Sequence, residues 1–176
     1  MLSDKEFLEA ELKMGISFDN THFVKLCMDS ATQMQSYPIN SVLDFGAGTG
    51  IYSYAYDQLG FNVKVYEIWD AHLEYIKEKF PYLEIINTPI TTDLMNFIEV
   101  AEHMTDKELN ALFKKITPTY ILFSSTSQIT ENDEAWGHIN VKPQEEWINF
   151  FAKKGYKLEK ELPLPTNYTK LFKRCQ

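Results

Sequence analysis

The segment Val42-Leu43-Asp44-Phe45-Gly46-Ala47-Gly48-Thr49-Gly50 constrains this chain more than any other. Ser41 to Asp44 suit a buried strand. A glycine-rich turn follows, and then a stretch of helical character from Ile51. Glycines at 46, 48 and 50 tolerate positive φ and leave no Cβ between the backbone and a ligand. A helix starting after such a turn directs its unpaired N–H groups toward whatever lies over it. Strand, glycine turn and helix in this order therefore predict an α/β fold with a nucleotide-type site at the carboxyl end of the strand.

The glycine spacing narrows the ligand. A dinucleotide fingerprint runs G-x-G-x-x-G, its third glycine letting the helix pack closely on the strand. Here the third glycine, Gly50, comes one residue early and Ile51 takes the expected place. A ligand without a pyrophosphate does not need the longer spacing, so a nicotinamide oxidoreductase fits poorly. The form hydrophobic-Asp-x-Gly-x-Gly-x-Gly resembles motif I of the class I S-adenosylmethionine-dependent methyltransferases. The resemblance implies that Asp44 orders the turn and that Gly46, Ala47 and Gly48 bind S-adenosylmethionine.

An acid stands where such a site needs one. Phe61-Asn62-Val63-Lys64-Val65-Tyr66-Glu67 alternates, with Phe61, Val63 and Val65 on one side. Glu67 ends the segment about twenty residues beyond the glycine turn, the position from which a carboxylate accepts hydrogen bonds from ribose hydroxyls. Ile68 and Trp69 follow and are candidates to cover the adenine.

The rest of the chain reads as alternating strands and helices, which imply a mostly parallel sheet with helices on both faces. Residues 3–36 read as one or two helices broken near Gly15, and Pro38 closes that region. Strands are expected at 41–45, 62–67, 83–86, 94–100, 120–124, 156–162 and 168–172. Helices are expected at 51–59, 70–80 (with Asp70 as cap), 106–116 (capped near Thr105) and 144–154. The order is similar to a minimal class I methyltransferase over its whole length. That resemblance implies a Rossmann-like, seven-stranded sheet with an antiparallel last strand. It also implies one domain over 1–176, with 1–38 as a helical cover and 39–176 as the core. Two departures stand out. The loop after the third strand has no acid before Asp93 to hold an adenine amino group. The family's helix between strands three and four is absent or reduced.

A second constellation follows the fourth strand, in Phe97-Ile98-Glu99-Val100-Ala101-Glu102-His103-Met104. If a helical turn starts at Glu99, then Glu102 and His103 fall at i+3 and i+4 on the same face. The Glu-x-x-Glu-His form resembles a motif in quinone-biosynthesis O-methyltransferases and in small-RNA 2′-O-methyltransferases. The resemblance implies a divalent metal held by Glu99, Glu102 and His103, with a further histidine from downstream. His138, in Trp136-Gly137-His138-Ile139-Asn140, is placed to be that histidine. Two carboxylates and two imidazoles suit Mg²⁺, Mn²⁺ or Fe²⁺. In a metal-free site, His103 or His138 becomes the candidate general base, since imidazole titrates near neutrality. His22 and His72 lack such neighbours in the sequence and are expected to be structural or solvated, His72 on a surface helix.

Charge bears on the partner. The formal net charge is −8 and Arg174 is the single arginine, a poor basis for holding phosphate backbones. Lys153, Lys154, Lys157 and Lys160 read as a solvated face. A nucleic acid is therefore a poor partner, and the resemblance to O-methyltransferases implies a small polar acceptor methylated on oxygen. An RNA 2′-O-methyltransferase and a non-catalytic cofactor-binding partner subunit are the alternatives. No apolar run approaches a membrane span. Met1 to Glu6 lack the apolar core of a signal peptide, and Cys27 and Cys175 form no metal or redox motif. A cytoplasmic setting is expected.

Overall fold

The computed structural model describes residues 2–175. Its seven strands follow the order β3-β2-β1-β4-β5-β7-β6, a mixed Rossmann-like sheet in which the last strand, β7, runs antiparallel to both its neighbours. The chain forms two compact units, Leu2–Pro89 and the part from Ile90 onward.

The first unit carries α1 (Asp4–Lys13), α2 (Thr21–Thr32), β1 (Ser41–Phe45), α3 (Ile51–Gln58), β2 (Asn62–Tyr66), α4 (Asp70–Lys79) and β3 (Glu84–Ile85). Ser3 and Glu6 close a capping box on α1, which satisfies donors that the first turn would otherwise leave unpaired. β1 and β2 pair in parallel with Val42 opposite Val63 and Asp44 opposite Val65. Val42, Leu43, Val65, Ala55, Tyr56 and Ile76 are buried at the centre. Asp70 is not the cap of α4: Trp69 is the capping residue, makes no side-chain cap bond, and Asp70 is already helical. The chain passes from β3 to β4 with no helix between them.

The second unit carries β4 (Leu94–Ile98), α5 (Asp106–Lys115), β5 (Tyr120–Ser124), a short α6 (Asp133–Trp136), α7 (Gln144–Lys153), β6 (Tyr156–Leu162) and β7 (Thr169–Arg174). Every residue of β5 is buried, as a strand covered on both faces requires. Its core is aromatic: Phe151 lies 4.5 Å from Phe172 and 4.9 Å from Phe123, centroid to centroid. Thr105 and Glu108 form a second capping box, on α5. β6 lies at the end of the sheet, pairs with β7 alone, and shifts register between Leu158 and Lys160. Among the described residues no helix is long and apolar enough to cross a membrane.

Gly50 fixes how α3 leaves the glycine turn. It has φ +76°, and a Cβ there would stand 2.8 Å from Ile76 Cγ1. Gly50→Ala combines left-handed strain with a core clash, so it is expected to destabilise the protein by about 2–4 kcal/mol. Urea unfolding of the two proteins measures the difference.

Candidate functional site

In the first unit, local sequence builds a cradle at the carboxyl ends of β1 and β2. The N–H groups of Gly46 and Ala47 both donate to the Tyr66 carbonyl, at 2.8 and 3.2 Å. Gly46 and Gly48 have φ of +71° and +54°, values that glycine reaches without penalty. Asp44 is 1% exposed, and one of its oxygens accepts the Ser53 hydroxyl at 2.5 Å. Its carboxylate therefore ties the end of β1 to the first turn of α3.

Glu67 is brought to the same turn. Gly48 N–H donates to Glu67 Oε2 at 2.9 Å, while Ile68 and Trp69 N–H donate to Oε1 at 2.6 and 3.0 Å. Three main-chain donors thus aim the carboxylate, which has about four lone-pair positions in all. Ile68 is 68% exposed. Trp69 instead packs its ring edge-on against Phe7 of α1, centroids 4.5 Å apart.

One expectation about this unit is corrected. His72 is not on a surface: it is 2% exposed. Its Nε2 lies 2.7 Å from Glu11 Oε2 and its Nδ1 3.5 Å from Asp4 Oδ1. Burial disfavours the imidazolium, but the bond to Glu11 and the charges of Glu11 and Glu67 outweigh it and raise the pKa above the usual histidine value. Both acids come from α1, some sixty residues earlier, so no local pattern around His72 announces them. His22 is exposed.

In the second unit, the structure gathers three of the four residues after β4 and β5. Ligand atoms of Glu102, His103 and His138 all lie within 4.8 Å of one another. The imidazole rings of His103 and His138 meet edge to face, centroids 4.8 Å apart. Main-chain bonds bring them together. The Glu102 carbonyl accepts the N–H groups of both Ile139 and Asn140 at 2.9 Å. The Asn140 side chain donates to the Met104 carbonyl at 2.8 Å. The loop carrying His138 is thereby hung on the segment carrying His103.

Glu99 does not join this group. It sits at φ +53°, where a non-glycine residue is strained, and its Oε1 accepts the Ser124 hydroxyl at 2.6 Å. The short 3₁₀ turn begins only at Ala101, so the expected i, i+3, i+4 face starting at Glu99 never forms. Tyr168 lies beside Glu99, and burial together with that charge raises its phenol pKa. Asp133 was another residue without a sequence signal; its Oδ1 lies 3.1 Å from His138 Nδ1.

The electrostatics of the group are unusual. Glu102 is 1% exposed and its Oε2 is buried without a hydrogen-bond partner. Burial, and then the charge of Glu99, push its pKa up to about 8. Burial, and then the neighbouring His138, push that of His103 down to about 4. A buried, unsatisfied carboxylate oxygen beside two imidazoles, one of them kept neutral, is a donor set that fits a divalent cation. The Asp133–His138 pair matches the carboxylate–histidine arrangement that orients such ligands.

No family model matches the sequence, and no curated protein does. Solved structures do match in fold. The pyocyanin biosynthetic protein PhzM superposes with a TM-score of 0.68 at 12% identity, covering 99% of this chain and 62% of that one. The mitomycin 7-O-methyltransferase MmcR gives 0.63 at 13% identity, covering 99% and 61%. The methyltransferase domain of bacterial CtHen1-C gives 0.65 at 16% identity, covering 85% and 97%. This chain thus spans about three fifths of the length of the first two. At these identities the likeness is one of architecture, and the chain has the Rossmann-like fold found in methyltransferases.

Proposed function

We propose that the protein transfers a methyl group from S-adenosylmethionine to an oxygen of a small polar acceptor. The observation that carries this reading is Glu67. Its carboxylate stands at the end of β2 and is locked onto Gly48 of the glycine turn. The position its three main-chain donors leave open suits a ribose hydroxyl, and the bare backbone at Gly46 and Gly48 leaves room for the rest of the ligand. S-adenosylmethionine supplies a methyl group on a sulfonium: the acceptor oxygen forms the new C–O bond, the S–C bond breaks, and its electron pair leaves with S-adenosylhomocysteine. Ile68, exposed beside Glu67, offers an apolar surface to the adenine. Asp44, through Ser53, keeps the turn in shape.

Glu102, His103 and His138 are assigned to the acceptor. They would hold a divalent cation, Mg²⁺, Mn²⁺ or Fe²⁺, which supplies Lewis-acid polarisation of a bound hydroxyl. Without a cation, His138 is instead the residue assigned to take the hydroxyl proton. Its bond to Asp133 suits a proton on Nδ1, which leaves the Nε2 lone pair as acceptor. His103, with a pKa near 4, is a weak base and better suited to stay a neutral ligand. The net charge of −8 with one arginine favours a small acceptor over a nucleic acid.

Calorimetric titration with S-adenosylhomocysteine tests the reading. Binding in the micromolar range is expected. No binding up to millimolar ligand would remove the cofactor assignment, and the methyl-transfer reading with it.

A further inference from the structure

The buried imidazole that this reading leaves unused is His72. It stands in the first turn of α4 and bonds Glu11 Oε2 of α1 at 2.7 Å, with Asp4 Oδ1 of the same helix 3.5 Å from its Nδ1. Asp4 also accepts the N–H of Ala71 at 3.0 Å. Between the two acids, Phe7 meets Trp69 edge-on. Asp4, Phe7 and Glu11 are spaced i, i+3 and i+7, so they share one helix face. A ten-residue helix is marginal in water by itself. This face therefore fixes α1 against the start of α4.

The other oxygen of Glu11 gives that arrangement a purpose. Glu11 Oε1 lies 3.8 Å from the point a Cβ on Gly48 would occupy. Gly48 is the same residue whose N–H meets Glu67. Two carboxylates therefore reach one residue of the glycine turn, Glu67 from the end of β2 and Glu11 from α1. Among the described residues, no lysine or arginine forms an ion pair with either of them; His72 engages Glu11 through Oε2, and it is Oε1 that faces the turn. Partly shielded carboxylates attract a cation more strongly than solvated ones do. Glu67 has a ribose hydroxyl to bind. Glu11 matches a cationic group on the same ligand.

We infer that Glu11 is a binding residue for the ligand's amino-acid arm, taking its α-ammonium, and that α1 is the strap that delivers it, anchored by His72. The inference rests on the methyl-transfer reading of the glycine turn. It assigns each carboxylate a different end of the ligand: Glu67 the ribose, Glu11 the ammonium. His72 is a positioning residue, since it touches Glu11 and not the turn.

Two ligands separate the roles. S-adenosylhomocysteine has the amino-acid arm; 5′-methylthioadenosine keeps the adenine, ribose and thioether but lacks the arm. Both are titrated calorimetrically into the full chain and into Glu11→Gln, a near-isosteric change that preserves a hydrogen bond to His72. Glu11→Gln is expected to weaken S-adenosylhomocysteine at least tenfold and to leave 5′-methylthioadenosine within twofold. Retained 5′-methylthioadenosine binding also shows that the variant is folded. Unchanged S-adenosylhomocysteine affinity would overturn the inference. So would an equal loss for both ligands, which marks a role for Glu11 in holding the fold alone. A wild-type protein that binds neither ligand overturns the methyl-transfer reading, and this inference falls with it.

Discussion

Glu67→Ala is expected to weaken S-adenosylhomocysteine binding at least 100-fold, a loss of about 3 kcal/mol. Two effects add. The charged acceptor for the ribose disappears, and a hydrogen bond to a charged group contributes about 1.5–3 kcal/mol. The turn also loses its brace, because Gly48, Ile68 and Trp69 all donate to this carboxylate. Glu67→Gln retains one acceptor oxygen and should fall between the two. Calorimetry on the three proteins gives the order directly. An affinity for Glu67→Ala within threefold of wild type would show that the ribose is held elsewhere.

Glu102→Gln should lose function and gain stability together. Its carboxyl has a pKa of about 8 in the folded protein, against 4.5 for the free group. The folded state therefore holds a proton that the unfolded chain releases between those values. Stability is full below about pH 4.5 and is lost progressively as pH rises through 8, where the buried carboxylate must ionise. A glutamine has no proton to lose. In metal-free protein the variant should match wild type at pH 4 and exceed it at pH 9 by on the order of 2–4 kcal/mol. Its Mn²⁺ affinity should fall about 100-fold, since a neutral amide replaces the one carboxylate of the group. Denaturant unfolding across pH and metal calorimetry test the two halves. Equal stability at pH 9 would refute the first, and equal Mn²⁺ affinity the second. The trade of stability for function is common at sites that keep a charge buried.

What could be read from the sequence was governed by local rules. Ser41 to Gly50 announces strand, turn and helix because each residue's backbone preference agrees with its neighbours'. Glu67 follows because a parallel strand next to β1 must end near the same turn. Thr105 marks the start of α5 as a capping residue next to the helical pattern. The misreadings arose where distant contacts decide. The sequence places His72 on a surface helix because its partners, Asp4 and Glu11, arrive from another helix. Glu99 looked helical because a spacing rule assumes regular backbone, and φ +53° breaks that assumption. The meeting of His103 and His138 depends on main-chain bonds from Ile139 and Asn140 to Glu102, which side-chain patterns do not encode. The polar stretch after β5 concealed α6, only four residues long and without an apolar stripe.

The edge strand β6 has a consequence for how copies of this protein meet. Lys157, Glu159, Lys160 and Glu161 line it, all exposed, and its pairing with β7 slips between Leu158 and Lys160. Charges and an irregular register discourage another strand from docking on an open edge. At the opposite end of the sheet, β3 is two residues long and offers little to pair with. Both borders are thus poor templates for cross-β growth, and self-association of the folded protein is directed to surfaces other than its strands.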